Sequence, residues 1–495
     1  MFGSFAIRKK QISPMAMICV MGLYFNQIYI YTCTEEQTII TQHWDMYNSL
    51  NWRYLYIGIS LIVLLGACKH EPITNIAPLD DLLMSELEQV SPTGSLEYYI
   101  LPMSSSLSQI PQDPKNPLNH AKVTLGKMLF FETGMAIEPR HPSGLGTYSC
   151  ATCHTPEAGF RVGRVQGIAD GGIGFGLAGD QRLMHDDYEV HELDVQGIRP
   201  LSVLNVCEVT NTMWAGSFGA EGSNVGTEDR WTGDFSNNFS GYKALEAQNF
   251  VGMKTHRLNM TPEMAEAFGY TQLFNDAFPD FPENDRINRL TASLAISAYL
   301  RTLNTTEAPF QRWVRGFMDE MTPAQKRGAI LFFAKANCAR CHNEPNLGSN
   351  TFHALGVNDL YNCTEAVGTG PFEERNKGRG LFTLEQQDLF RFRVPQLYNL
   401  KDAPVYFHGS SKTTLEEVIA YKCAAVSENP NVPDELLSPF FQPLDLTEQE
   451  RSDLLEFIRD GLYDPNIQRF VPSAIGSGNC FPNNDPISRA ELGCE

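Results

Sequence analysis

Two five-residue stretches constrain this chain more than anything else in it: Cys150-Ala-Thr-Cys153-His154 and Cys338-Ala-Arg-Cys341-His342. Each is a Cys-x-x-Cys-His motif, the attachment signal for a c-type haem. Two thiols three positions apart can bond the two vinyl groups of one porphyrin. The imidazole that follows is then held beneath the iron as its proximal ligand. A thioredoxin-type redox pair has no use for the added His, and a zinc site needs four ligands close in space. The sequence therefore predicts two covalent haems, one on Cys150 and Cys153, the other on Cys338 and Cys341. His154 and His342 are their expected iron ligands.

A chain of 495 residues has room for two or three domains with cores of their own. Its 42% hydrophobic and 19% charged residues describe an ordinary globular protein. The formal net charge of −20 argues against nucleic acid or an anionic membrane surface as partner, because both demand basic patches. It permits a basic electron donor, and equally serves solubility. The 12 cysteines exceed what two haems use. Spare cysteines and covalent haem both point outside the cytoplasm. Cys480 and Cys494 bracket a short Asn/Pro-rich tail and are expected to pair. Cys363 with Cys423 is a second expected pair, which leaves Cys207 free; sequence alone cannot fix that connectivity.

The run Tyr56–Leu65 has the length of a secretory apolar region, with Arg53 ahead of it. About ten apolar residues are too few to span a bilayer. The run ends in Leu65-Gly66-Ala67-Cys68, which resembles a bacterial lipobox; by that resemblance Cys68 becomes a lipidated N-terminus. Residues 1–67 are thus read as a leader. Its unusual length, with a second apolar patch from Met15 to Tyr31, fits a start site placed too early and a true start at Met46. Residues 68–115, Ser/Pro-rich with acidic clusters such as Asp80-Asp81, read as a tether with little structure of its own.

The first haem domain is expected over 116–315, the second over 316–475, and the Cys-bracketed tail over 476–495. Leu125-Gly-Lys-Met-Leu-Phe-Phe131 starts a helix leading to the first motif, and Met321–Phe333 one leading to the second, with Thr322 as N-cap and Pro323 as first helical residue. Each motif thus follows a Gly and an apolar pair of turns, a weak internal repeat. The glycine-rich Gly171–Gly179 has no strand–helix setting for phosphate binding and reads as a haem-covering loop. Helical periodicity appears at Lys243–Asn249 and, strongly, at Ile287–Leu303. Leu446–Ile458 is an amphipathic helix whose Thr447 and Glu450 make a capping box.

These segments resemble the bacterial di-haem cytochrome c peroxidase family, which includes the MauG-type enzymes. The resemblance runs from about Leu125 to Leu462. It rests on Leu125–Phe131, Pro200-Leu-Ser-Val-Leu-Asn205, Phe392-Arg-Val-Pro-Gln-Leu-Tyr-Asn399 and Ala403-Pro-Val-Tyr-Phe-His408. It implies a mainly α fold, two cytochrome c-like domains in tandem. It also implies reduction of hydrogen peroxide at the first haem, with electrons from a c-type cytochrome or similar donor relayed by the second. A MauG-like oxidase acting on a protein or organic substrate is the alternative, and a di-haem electron carrier a further one. The implied location is periplasmic or cell-envelope, with the membrane reached through a lipid anchor only; a homodimer is left open.

By the same resemblance His191 falls on the mobile distal histidine, Trp214 on the Trp between the haems, and Gln248 on a pocket Gln. The family's pocket Glu, ten residues on, falls near Leu258, where no carboxylate exists. His256 or Arg257 could supply a proton instead. The usual Met ligand of the second haem falls on Tyr421-Lys422, and no methionine follows His342. The MauG-type branch uses a Tyr there, which makes Tyr421 the expected sixth ligand, with Lys422 and His353 behind it. The family's interdomain calcium would sit near Asp402 and Pro404. Its Asn ligand is replaced by Arg199 or a neighbour, which puts calcium in doubt.

Overall fold

The computed structural model describes residues 22–24, 27–33, 39–42 and 76–494, in two units, 1–74 and 75–495. In the first unit the strands Gly22–Tyr24 (β1), Gln27–Cys33 (β2) and Ile39–Gln42 (β3) form an antiparallel sheet in that order, with Gly22 opposite Tyr29 and Cys33 opposite Ile39. The apolar run before Cys68, Cys68 itself and Met46 lie outside the described residues.

The second unit is mainly α. Its principal helices are Ile76–Val90 (α1), His120–Phe131 (α2), Ala244–Thr255 (α3), Arg289–Leu300 (α4), Pro323–Phe333 (α5), Leu415–Ala424 (α6) and Glu448–Glu456 (α7). Short helices and 3-10 turns connect them. Two strand pairs of two residues each, Gly172–Ile173 with Leu183–Met184 and Phe352–His353 with Phe392–Arg393, complete it. The N-termini follow side-chain chemistry. Asn119 caps α2, Asn288 caps α4, and Thr322 with Gln325 and Thr447 with Glu450 form capping boxes on α5 and α7.

Gly126 in α2 and Gly328 in α5 set the packing. A Cβ on Gly126 would lie 1.8 Å from the carbonyl oxygen of Ala295 in α4. One on Gly328 would lie 1.9 Å from the carbonyl oxygen of Asp453 in α7. Each missing side chain lets a second helix cross backbone against backbone. Four residues later on the same helix face stand Phe130 and Phe332, each edge-on to the Phe that follows it, with centroids 5.2 and 5.1 Å apart. The weak repeat of the sequence is a repeat of packing.

Two cores result. The first gathers Leu125, Leu129 and Phe130 of α2, Leu245 and Met253 of α3, and Leu294, Ala295 and Tyr299 of α4. The second gathers Leu83 and Leu87 of α1, Phe332 and Phe333 of α5, Ile419 of α6 and Leu454 of α7. At about 1.5–3 kcal/mol per buried large apolar side chain, each cluster is a main source of local stability. A buried bidentate pair, Arg301 Nε and Nη2 on Glu246 at 2.9 and 2.6 Å, ties the end of α4 to the start of α3.

Three expectations need correction. The segment read as a tether forms α1, and Leu83, Leu87, Tyr99 and Leu101 are fully buried in the second core. Within it Asp80, one of the acidic residues of that segment, accepts from Trp313 Nε1 at 2.7 Å and pairs with Lys326 at 2.7 Å. Ile467, Phe470 and Ile475, expected in the second domain, pack in the first core, because the chain crosses back after Tyr463. Cys363 and Cys423 do not pair. Cys363 donates to the carbonyls of Gly409 and Ser410, whereas Cys423 sits on α6 against the second core.

Cys480 and Cys494 do pair, and Cys207 is free and buried. The tail they close lies on the first haem motif. Ser149 and Thr152 hydroxyls donate to Pro482 O at 3.0 and 3.2 Å. The glycine-rich loop binds that tail: Gly174 N donates to Asp485 and Phe175 N to Glu491.

Candidate haem sites and the residues between them

Each Cys-x-x-Cys-His motif turns through a short 3-10 segment, Cys150–Thr152 and Cys338–Arg340. His154 Nδ1 donates to Phe160 O at 3.4 Å, and His342 Nδ1 to Leu347 O at 2.7 Å. A carbonyl only accepts, so in both rings the proton sits on Nδ1 and the Nε2 lone pair is free. Burial pulls both imidazoles down to about 4, which keeps them neutral. Phe130 lies against His154 and Phe332 against His342, with centroids 6.4 and 6.2 Å apart. All four motif thiols are unpaired, and burial pushes Cys150, Cys153 and Cys338 up to about 12.

The surroundings of the two histidines differ. The face of α3 that carries Gln248 and Gly252, one turn apart, continues to His256 at its C-terminal cap. A Cβ on Gly252 would meet only the Gln248 amide, at 3.5 Å, so this face is open. His256 is near enough for its charge to depress His154 further. Its Nδ1 donates to Asp194 at 2.8 Å, and the Asp194 charge holds the imidazole above its usual pKa against the opposing effect of burial. Nε2 of His256 is thereby left free. Arg257 beside it, in the left-handed region at φ 56°, donates to the buried Asp170 at 2.8 Å.

His342 instead opens on a cleft lined by Cys341, His353, Leu355, Val418 and Lys422. Arg161, Arg199 and Arg393 line it too, are buried, and make no ion pair among the described residues. Burial lowers them to about 10, 9 and 10 respectively. Arg199 Nε has no hydrogen-bond partner at all. Buried cations without anions are costly unless a ligand supplies the charge. The two propionates of a porphyrin are such a charge. Thiol pair, free imidazole nitrogen and unpaired guanidiniums together fit a haem c here.

Trp214 lines the same cleft. Its Nε1 donates to Arg199 O at 2.6 Å, and its own carbonyl accepts from Arg393 N at 2.8 Å. His408 and Phe392 both meet its ring edge-on at 6.1 Å, and they stack on each other at 3.7 Å. His408 Nε2 is 3.1 Å from the buried Asp359, and its carbonyl accepts from Arg199 N at 2.8 Å. Arg199 in turn donates to Val162 O, two residues beyond the carbonyl that holds His154.

A family model described as di-haem cytochrome c peroxidase matches residues 120–319. The cytochrome-c peroxidase IdrP1 of Denitromonas iodatirespirans is 28% identical over 385 residues, covering 72% of this chain and 85% of that protein. The methylamine utilization protein MauG of Methylorubrum extorquens is 28% identical over 354 residues, covering 70% and 80%. Over these stretches the chain is similar to the di-haem cytochrome c peroxidases. Among solved structures, a MauG-like protein associated with microbial copper homeostasis superposes with a TM-score of 0.51 at 25% identity, over 75% of this chain and 96% of that one. The mainly α fold is thus shared with that structure, consistent with cytochrome c-like halves in tandem.

The family-derived positions fall out unevenly. Trp214 stands against the Phe392 and His408 side chains and on the Arg199 carbonyl. Gln248 and His256 share the open face near His154. His191 is 76% exposed in its acidic loop, with Nδ1 3.3 Å from Glu189, and the structure does not bring it against His154. Tyr421 is buried with its hydroxyl donating to Leu355 O at 2.6 Å, while its neighbour Lys422 lines the cleft.

The calcium position does not fit a cation. The Arg161 guanidinium already donates to the carbonyls of Tyr398 and Asn399, at 2.8 and 2.7 Å, beside Asp402. No group of three or more His, Cys, Asp or Glu among the described residues could hold a metal ion.

Asp194, Arg161, Arg393 and the His408–Asp359 pair were not singled out from sequence. Arg393 and His408 lie within the matched segments, so a signal existed for them. Asp194 is one acid among several in its loop and had none.

Proposed function

We propose that this chain is a di-haem peroxidase that reduces hydrogen peroxide to water with electrons from a small c-type cytochrome or a similar donor. The observation that carries the reading is the inequality of the two histidine surroundings. The α3 face that ends at His256, near His154, offers Gln248, Gly252 and a His256 braced by Asp194, room for a small substrate with a proton carrier beside it. The cleft at His342 is lined by candidate ligands, which suits a relay.

The overall reaction adds two electrons and two protons to one peroxide and yields two waters. The haem irons supply the redox chemistry when bound. This chain's part is to position peroxide and move protons. Gln248 holds the substrate by its amide. His256 Nε2 takes a proton from the near oxygen and returns it to the departing one, and Asp194 stabilises the imidazolium in between. Trp214, at the contact of the two halves, lies on the electron route. His191 serves this site only if its loop folds inward.

Export, with a lipid tether at Cys68, is supported by the lipobox-like run and by the covalent haem motifs. A MauG-like oxidase that spends peroxide on a protein or organic substrate is a second reading. One observation favours it: no methionine follows His342, so the second iron has no thioether to raise its potential. Steady-state turnover separates the two. The peroxidase reading expects two reduced cytochromes oxidised per peroxide consumed; peroxide consumption without cytochrome oxidation overturns it.

A further inference from the structure

Three side chains compete for the place opposite His342, and their hydrogen bonds separate them. Tyr421 is committed, its hydroxyl held on Leu355 O at 2.6 Å. His353 is engaged at both ring nitrogens, Nδ1 with the Ser438 hydroxyl at 3.0 Å and Nε2 with the Thr351 hydroxyl at 3.1 Å. Lys422 is uncommitted. It lines the cleft with Cys341 and His342, makes no ion pair among the described residues, and has the Phe441 ring 5.7 Å from its ammonium.

The helix explains the difference. In α6, Val418 and Lys422 are four residues apart and share the face turned to the cleft, whereas Tyr421 is rotated by about 100° towards Leu355. Cleft anions do not need this ammonium, since Arg161, Arg199 and Arg393 already provide three unpaired guanidiniums.

We propose that Lys422 is the sixth ligand of the second haem, through Nζ. This rests on the reading that a haem is attached at Cys338 and Cys341 with His342 beneath it. On ligation one Nζ–H proton leaves to solvent and the nitrogen lone pair forms the bond to iron; no electron is exchanged. An amine is a harder ligand than a thioether and stabilises the ferric state relative to the Met-ligated pattern.

The test is near-infrared magnetic circular dichroism with EPR on the diferric holoprotein, after the haem content per chain is counted. The charge-transfer band of a low-spin ferric haem distinguishes amine, phenolate, thioether and imidazole partners. The expected result is two haems per chain and one low-spin His/amine signal. That signal is lost in Lys422→Ala, turns into a His/thioether signal in Lys422→Met, and survives in Tyr421→Phe. A phenolate or bis-imidazole band in the unmodified protein overturns the assignment even if no variant folds. So does a low-spin signal unchanged in Lys422→Ala, which is the outcome for a lysine that merely pairs with a propionate. A single haem per chain defeats the underlying attachment reading instead, and the count shows this before any spectrum is taken.

Discussion

His256 donates through Nδ1 to Asp194 at 2.8 Å, and that contact fixes which nitrogen of the ring is free beside His154. The same contact raises the imidazole above its ordinary pKa. The imidazolium–carboxylate pair is therefore complete at low pH, and its contribution is lost as pH rises through the raised value. A base must be neutral, so the rate of reaction with peroxide should rise with pH across that value. Replacing Asp194 by Asn should move the inflection to lower pH, while His256→Ala should cost about 10²-fold or more in the rate constant. His191→Ala should cost little. Stopped-flow mixing at a series of pH values checks all three, and a large loss in His191→Ala alone would transfer the role to that residue.

Gly126 and Gly328 make a paired prediction. A methyl at either position would collide with the backbone of the crossing helix, so Gly126→Ala and Gly328→Ala should each destabilise by about 1–3 kcal/mol or more in chemical unfolding. An effect at one position and none at the other would refute the equivalence of the two packings.

The Arg301–Glu246 pair sets the start of α3, whose later turns carry Gln248 and Gly252. Glu246→Gln leaves a buried guanidinium unbalanced and should cost about 3–5 kcal/mol. Urea denaturation measures it.

Trp214 touches His408 and Phe392 from one half while its indole is held by Arg199 of the other. Trp214→Phe should slow turnover with reduced cytochrome by about tenfold, roughly 1.4 kcal/mol of barrier. It should leave the direct reaction with peroxide intact. Equal losses in both would mark a packing role.

The Cys480–Cys494 disulfide closes a loop of 14 residues and holds Pro482 on Ser149 and Thr152. Its removal by Cys480→Ser with Cys494→Ser should lower stability by about 2–4 kcal/mol. Thermal unfolding under oxidising conditions tests it.

Much of this architecture was legible in the sequence because its determinants are local. The haem motifs need five residues each, and the caps Thr322 and Thr447 need a partner three residues on. The repeated Gly and Phe positions 126, 130, 328 and 332 could be read as spacing, though not as helix crossings. What escaped depends on long-range contacts. Asp80 looks solvated until Trp313 and Lys326 are seen to bury it. Cys363 and Cys423 look pairable until the fold sends their side chains to different partners. Tyr421 and Lys422 are neighbours in sequence, and only the orientation of α6 decides which one faces the cleft. His191 carried the distal role by spacing and His256 only a substitute one, yet it is His256, at the end of α3, that lies near His154.

On the proposed reading the two haem sites are unequal, one open to peroxide at His154 and one closed by a protein ligand at His342. Optical and EPR titration with hydrogen peroxide tests it most directly, on the diferric protein and again after one electron has been added. The predicted result is one high-spin and one low-spin ferric signal at rest, with the high-spin signal abolished by peroxide in at least one of the two states. Two low-spin signals that remain unchanged by peroxide in both states would contradict the account and leave an electron carrier.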